Sequence, residues 1–137
     1  MPFELTWEPR GVHRRFFGDV TIAERQRSFD LICGDPRFDS LRYAITNYLE
    51  VGAYEVSVEA TEEIAARHIA PLVTNPHIVL AAVAVAPTVI AAIEHFVSLG
   101  FVDTPYRTFA TEAEARAWIE GLGPAAPPWS RPGARRR

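Results

Sequence analysis

One apolar run constrains the fold of this chain more than any other feature. Ile78 to Ala86 contains nine apolar residues in succession, and Pro87 follows directly. A membrane-spanning helix needs about 20 such residues, so this run is too short to cross a bilayer. A short run that is apolar on both faces is typical of a strand in the middle of a parallel sheet with helices on either side. The run therefore predicts an α/β domain with a central strand here.

Regular elements are predicted on both sides of this strand. Alternating apolar and polar residues over Phe3–Trp7 and Val12–Phe17 are typical of two half-buried strands joined by a turn. Thr21–Glu24 and Thr111–Glu114 are capping boxes, and each predicts the start of a helix. The other predicted elements are a strand over Leu41–Tyr48, a loop over Glu50–Val58, a helix over Glu59–Val73, a helix from Pro87 to Gly100 and a strand over Tyr106–Phe109.

The order of these elements is β-β-α-β-α-β-α-β-α. Alternating strands and helices predict a mixed, mostly parallel sheet with right-handed crossovers and helices on both faces, and the hairpin adds one antiparallel edge strand. We expect the domain to cover residues 1–123. Residues 124–137 are rich in proline and arginine and cannot build a core, so they are predicted to form a flexible tail.

Charge and the amino-terminal segment narrow the classes of partner. All 14 cationic side chains are arginine, and four of them lie after residue 130, which leaves ten arginines against 17 acidic side chains in residues 1–130. A body this acidic argues against nucleic-acid binding. Residues 1–8 have neither the basic start nor the apolar run of a signal peptide. The sequence therefore predicts a cytoplasmic protein without integral membrane contact.

Catalytic and metal-binding patterns are missing from the sequence. His13, His68, His77 and His95 do not have the spacing of a metal site, and Cys33 is the single cysteine. The sequence also contains no serine-nucleophile motif and no glycine-rich phosphate loop. We therefore expect no catalytic residues, no metal, no cofactor and no enzymatic activity.

Three local strings, together with the order of elements, resemble the SpoIIAA-like family of small bacterial proteins, which are relatives of STAS and SEC14-type domains. The strings are Leu5–Val12, Gly34–Tyr43 and Ala115–Trp118. The resemblance covers nearly all of the chain from Phe3 to Leu122. It implies a β/α superhelix with a mixed sheet, and for the family itself it implies no established activity.

The resemblance to STAS domains implies a regulatory module that binds a protein partner. Those domains are switched by phosphorylation of a serine at the start of the helix after the third strand. Glu50 stands at or near that place here, and Ser57 is the nearest hydroxyl, so the resemblance carries no phosphorylation switch over to this chain. We expect the partner, another protein or a second copy, to bind through the segment Glu50–Val58 and the next helix. The candidate residues are Tyr48, Glu50, Val51, Tyr54 and Ser57, with an exposed apolar patch around Tyr48, Val51 and Tyr54.

A small ligand is the alternative. The SEC14 relationship implies binding of a lipid or a small apolar molecule, although those domains line their cavity with extra helices that this chain has no residues to build. The carboxyl edge of the parallel sheet, where helices begin, also suits a small anion. The candidate ligand-binding residues are Thr21, Tyr43 and Thr88, and this hypothesis predicts a closed pocket lined by Thr88 and Tyr43. The protein would then be a carrier or sensor.

Overall fold

The computed structural model describes residues 2–122 and contains five strands and five α-helices in that part of the chain. The strands are β1 (Phe3–Trp7), β2 (Gly11–Thr21), β3 (Tyr43–Glu55), β4 (Val79–Val83) and β5 (Tyr106–Phe109). The helices are α1 (Ile22–Cys33), α2 (Val58–Ala66), α3 (Ile69–Thr74), α4 (Pro87–Ser98) and α5 (Glu112–Gly121), and a short 3-10 helix over Pro36–Ser40 precedes β3.

The strands lie in the sheet in the same order as in the chain. β1 and β2 pair antiparallel, and β2 through β5 pair parallel, one neighbour after the next. This arrangement confirms the predicted mixed, mostly parallel sheet with one antiparallel edge strand. The apolar run that begins at Ile78 forms β4, which lies between β3 and β5.

Different helices cover the two faces of the sheet. Side chains alternate along a strand, so Val83 and Ala82 point to opposite faces. Val83 packs with Ala115 of α5, whereas Ala82 packs with Ile93 of α4. α2 lies beside α4 on that second face. The prediction of helices on both faces is therefore confirmed.

Strands β2 and β3 are longer than the sequence pattern predicts. The pattern predicts a strand over Leu41–Tyr48 and a loop over Glu50–Val58. In the structure β3 runs to Glu55 and pairs with β2 as far as Thr21, so the loop prediction is wrong. Two register shifts interrupt the pairing and break the regular alternation. Pairing with a distant strand stabilises the segment, and local periodicity does not report that pairing.

The helix predicted over Glu59–Val73 is two helices. α2 ends at Ala66 and α3 begins at Ile69. Pro71 has no N–H to donate to the carbonyl of Arg67, so one hydrogen bond of a continuous helix cannot form across this point. The break allows the chain to change direction before β4.

Two further predictions concern the extent of the chain and the membrane. The tail predicted over residues 124–137 lies outside the described residues. Among the helices of residues 2–122, none has the length and apolar character needed to cross a membrane.

Candidate functional site

The carboxyl ends of β2 and β3 form a two-stranded extension of the sheet. β1 pairs with β2 only as far as Phe16, and β4 pairs with β3 only as far as Asn47. Beyond these points residues 17–21 and 50–55 pair with each other, and the Phe17 N–H also donates to the Pro2 carbonyl at 2.9 Å. We call these two segments the ribbon. The two strands of the ribbon lead directly into α1 and α2.

The predicted aromatic patch on this segment does not exist as a surface. Tyr48 is 4% exposed and stacks on Phe16, with 5.5 Å between the ring centroids. Val51 and Tyr54 are partly buried against the same core cluster, and Tyr54 meets Tyr48 edge-on. The expectation of an exposed patch is wrong because Tyr48 and Tyr54 turn toward the face that α4 covers.

Glu50 and Ser57 are exposed, unlike Tyr48. Glu50 Oε1 accepts a hydrogen bond from Arg15 Nη1 at 2.8 Å on the surface of the ribbon. Ser57 is the N-cap residue of α2, and its Oγ accepts a hydrogen bond from the Ala60 N–H at 3.1 Å. Ser57, and not Glu50, therefore stands at the start of the helix that follows the third strand.

The outer surface of the ribbon and of the first turn of α2 is apolar and acidic. Leu49 is 43% exposed and Val58 is 56% exposed. The same segments contain four exposed carboxylates, namely Asp19, Glu50, Glu55 and Glu59. The sequence segments 17–21 and 49–59 contain no arginine or lysine. We call the outer surface of these segments the ribbon surface.

The three predicted ligand-binding residues do not come together. Thr21 caps α1 and hydrogen-bonds the Glu24 carboxylate. Thr88 is exposed in the first turn of α4. Tyr43 is the first residue of β3, opposite Gly11 at the start of β2, so it lies at the amino edge of the sheet. The predicted pocket lined by Thr88 and Tyr43 is therefore wrong, because the two residues belong to opposite ends of parallel strands.

Tyr43 instead belongs to an ion-pair cluster beneath α5. Its hydroxyl donates to the Glu8 carboxylate, which also accepts two hydrogen bonds from Arg116, at 2.6 Å from Nη1 and 2.7 Å from Nη2. The hydrogen bonds from Arg116 lower the pKa of Glu8 to about 2. The cluster connects the end of β1 to α5 and has the character of a structural clamp.

A second polar cluster joins α5 to the sheet. Glu112 contacts His13 on β2 and accepts a hydrogen bond from Asn47 Nδ2 at 2.9 Å. Burial alone would raise the pKa of Glu112, but the hydrogen bonds from His13 and Asn47 hold it below its usual value. Among the described residues no group of histidines, cysteines and carboxylates has the arrangement of a metal site.

The face opposite α5 contains two buried arginines that sequence reasoning missed. Arg14 is 7% exposed and Arg25 is 5% exposed, and both guanidinium groups lie within 6 Å of the centre of the Phe16 ring. Arg14 is well paired: Nη1 donates to Ser28 Oγ and Nη2 to Thr46 Oγ1, each at 2.9 Å. Its bonds tie β2 to β3 and α1.

Arg25 is paired less completely, through a hydrogen bond with Tyr54. Within the described part of the chain, its buried Nε and Nη1 atoms have no hydrogen-bond partner. Arg25 lies in the wall of a small cavity beneath α2 and α4 whose volume, about 20 Å³, has room for little more than one water molecule. We call it the arginine cavity. Its other lining residues are Tyr48, Tyr54, Thr61, Ile64, Ala92, Ile93, Phe96 and Tyr106.

The electrostatics of the arginine cavity are positive. Burial and the neighbouring Arg25 charge lower the pKa of Arg14 to about 10, so Arg14 is still charged at neutral pH. Burial raises the pKa values of Tyr54 and Tyr106, so these phenols stay neutral and do not balance the arginines. No acidic side chain belongs to the described lining of the cavity.

The architecture was compared with known proteins. Neither a family model nor a curated protein sequence matches the chain. A solved structure of the anti-sigma factor antagonist SpoIIAA in its unphosphorylated form superposes with a TM-score of 0.60 at 17% identity, covering 87% of this chain and 98% of that one. The fold is SpoIIAA-like.

A second solved structure has the same architecture. It is an uncharacterised protein of the DUF3478 family from Shewanella loihica, described as having a SpoIIAA-like fold. It superposes with a TM-score of 0.53 at 10% identity and covers 85% of this chain and 91% of that one. The SpoIIAA-like fold therefore extends over most of the chain.

Proposed function

We propose that this protein is a non-enzymatic, cytoplasmic regulatory module that binds another protein through the ribbon surface. The observation that carries the proposal is the exposure of two large apolar side chains next to the ribbon, Leu49 at 43% and Val58 at 56%. Exposed carboxylates accompany them on the same segments. A surface with an apolar centre and a polar rim is the usual anatomy of a protein interface.

The charge of the ribbon surface indicates the chemistry of the partner. Its four exposed carboxylates are accompanied by no basic residue in segments 17–21 and 49–59. Arg15, which lies on β2 beside the ribbon, already pairs with Glu50 and Glu4. Opposite charges on two surfaces speed association and exclude wrong partners. We infer a partner that presents arginine or lysine around an apolar contact.

The likeness to SpoIIAA supports a protein partner. SpoIIAA is an anti-sigma factor antagonist, and almost the whole of its solved chain corresponds to this one. The helix that begins at Ser57 follows β3 directly, so it presents its exposed first turn beside the ribbon. This proposal keeps Glu50 and Ser57 as contact residues and assigns Tyr48 to the core instead.

Site-specific photocrosslinking in cells of the source organism tests the proposal. A photoreactive residue placed at Leu49 or at Val58 should capture the same protein from both positions. The control position is Thr108, which is exposed on β5. A crosslinked mass of twice the chain would identify the partner as a second copy. Capture of unrelated proteins, or equal capture from Thr108, would contradict the proposed surface.

Charge reversal then tests the inferred chemistry with the captured partner. Glu55→Arg should weaken association several-fold and reduce its dependence on salt, because Glu55 is exposed on the ribbon. Glu120→Arg changes the net charge by the same amount on α5, away from the ribbon, and should leave affinity unchanged. Equal effects of the two variants in calorimetry would mean that only net charge matters, which contradicts a specific ribbon interface.

A further inference from the structure

The chain itself contains a segment with the chemistry inferred for the partner of the ribbon surface. Residues 123–137, which we call the arginine segment, follow α5 and contain four arginines, one tryptophan and no acidic residue. The tryptophan is Trp129, and the arginines are Arg131, Arg135, Arg136 and Arg137. An apolar group accompanied by cations is what an apolar surface with exposed carboxylates accommodates best. The arginine segment is therefore a candidate occupant of the ribbon surface.

Charge distinguishes the ribbon surface from another exposed apolar surface of the molecule. Val73 on α3 is 76% exposed, more than Leu49 or Val58. Residues 67–78 around Val73 contain no aspartate or glutamate, however, whereas the ribbon surface has four exposed carboxylates. The arginines that accompany Trp129 therefore favour the ribbon surface over α3.

The first turn of α5 lies beside the ribbon surface. Asn47 Nδ2 donates a hydrogen bond to Glu112 Oε1 at 2.9 Å, and Asn47 Oδ1 accepts one from the Leu49 N–H at 2.8 Å. A single amide group thus joins the start of α5 to the backbone of the exposed leucine. α5 has ten residues and is about 15 Å long, so the chain leaves α5 at a short distance from the ribbon surface.

The length of the arginine segment matches this distance. An extended chain covers about 3.6 Å per residue, so residues 123–129 span up to about 25 Å. This exceeds the length of α5 by about 10 Å and allows Trp129 to contact Leu49. Glu55 lies about 20 Å further along β3, which the next seven residues, as far as Arg136, can also span.

We propose that the arginine segment folds back along α5 onto the ribbon surface of the same chain, with Trp129 against Leu49 and its last arginines beside Glu55 and Glu59, and that it excludes the partner while it is bound there. The exclusion rests on the function proposed above, whereas the contact itself does not. Exposed ion pairs contribute little individually. Attachment to the same chain gives the segment an effective concentration on the order of millimolar, so that even a weak contact is populated.

Amide NMR spectra of the full isotope-labelled chain test the contact without any partner. Trp129→Ala should shift the amide signals of residues 49–59, because the indole ring no longer contacts Leu49. Residues 67–78 are the internal control, and their signals should not move. Shifts that are absent from residues 49–59, or that are equally large in residues 67–78, would overturn the proposed contact.

An exchange of charges tests the pairing of the arginines. Glu55→Arg should reduce the response of the ribbon surface to Trp129→Ala at least twofold, and Arg136→Glu in the same chain should restore part of it. The control is Glu94→Arg, which changes an exposed side chain of α4 and should leave the response as it is in the wild type. Equal responses in the Glu55→Arg and Glu94→Arg chains would contradict pairing of the segment with the ribbon surface.

Dilution separates a contact within one chain from a contact between two copies. The shift differences between the wild type and Trp129→Ala should stay constant over a roughly tenfold dilution, because the effective concentration within a chain does not depend on the protein concentration. Differences that disappear on dilution would mean that the arginine segment of a second copy occupies the surface, which contradicts the proposal.

Photocrosslinking from Val58 tests the exclusion of the partner. Trp129→Ala should increase the yield of the captured partner several-fold, because the ribbon surface is then free. An unchanged yield would overturn the exclusion. The spectra contain no partner, so the loss of the contact in the spectra and the failure to capture a protein are separate results, the first against the arginine segment and the second against the proposed function.

Discussion

Glu8 is the single carboxylate on which the attachment of α5 to β1 depends most. Its side chain is 19% exposed and accepts hydrogen bonds from both Arg116 and Tyr43. Its pKa is about 2 in the folded chain, below the ordinary value of 4.5. The stabilisation is therefore complete above pH 4.5 and is lost as the pH falls toward 2.

Glu8→Gln is predicted to lower the free energy of unfolding at pH 7 by about 1 to 2 kcal/mol. This range is discounted for solvent screening of the half-exposed Arg116. The measurement is urea unfolding between pH 2 and pH 7. The wild type should lose more stability than the variant over the acid range, so that the two curves converge near pH 2. Parallel curves would show that folding does not lower the pKa of Glu8.

At the same scale, the spacing of Arg14 and Arg25 in the sequence indicates that both side chains are buried, but it does not indicate which groups pair with them. Arg14 occupies an inward position in the alternation between Val12 and Phe16, and Arg25 lies on the apolar stripe of α1 with Ile22. Arginine is almost never buried unless it is paired, so the residue type argued against what the spacing indicated. The contact between Glu8 and Arg116 joins residues far apart in the chain, and no local pattern reports it.

At the scale of elements, the backbone of the ribbon requires glycine at position 18 but not at position 52. Gly18 has φ of +66°, which L-residues with a side chain rarely adopt, and an added Cβ would meet no atom within 4 Å. At Gly52 an added Cβ would lie 3.4 Å from Asp19 Oδ1, an ordinary contact, and no unusual φ is present. The two glycines therefore form a matched pair within the ribbon.

Gly18→Ala is predicted to destabilise the protein by about 1 to 2 kcal/mol, the cost of a left-handed backbone for a residue with a Cβ. Gly52→Ala should change stability by less than about 1 kcal/mol, with stabilisation the expected direction, because alanine restricts the unfolded chain. Urea unfolding of both variants is the measurement. Equal losses would contradict a specific requirement for glycine at the left-handed backbone of position 18.

The elements differ in how far the sequence predicts them. β4 and the capped starts of α1 and α5 follow from local signals, a run that is apolar on both faces and two capping boxes, and the structure confirms all three. The part of β3 that belongs to the ribbon forms because it pairs with β2. Its sequence contains Gly52, which by itself favours the prediction of a loop. α2 and α3 share one apolar periodicity, which predicts a single helix, whereas Pro71 prevents one of its hydrogen bonds.

At the scale of the whole molecule, β3 contributes both to the core around the arginine cavity and to the ribbon surface. Tyr48 and Tyr54 extend from β3 into the lining of the arginine cavity, whereas Leu49 and Glu50 of the same strand lie on the ribbon surface. α2 contributes to both as well, with Thr61 at the cavity and Val58 at the surface. The inner side chains of β3 and α2 therefore hold the elements in place, and the outer side chains of the same elements are available to the partner.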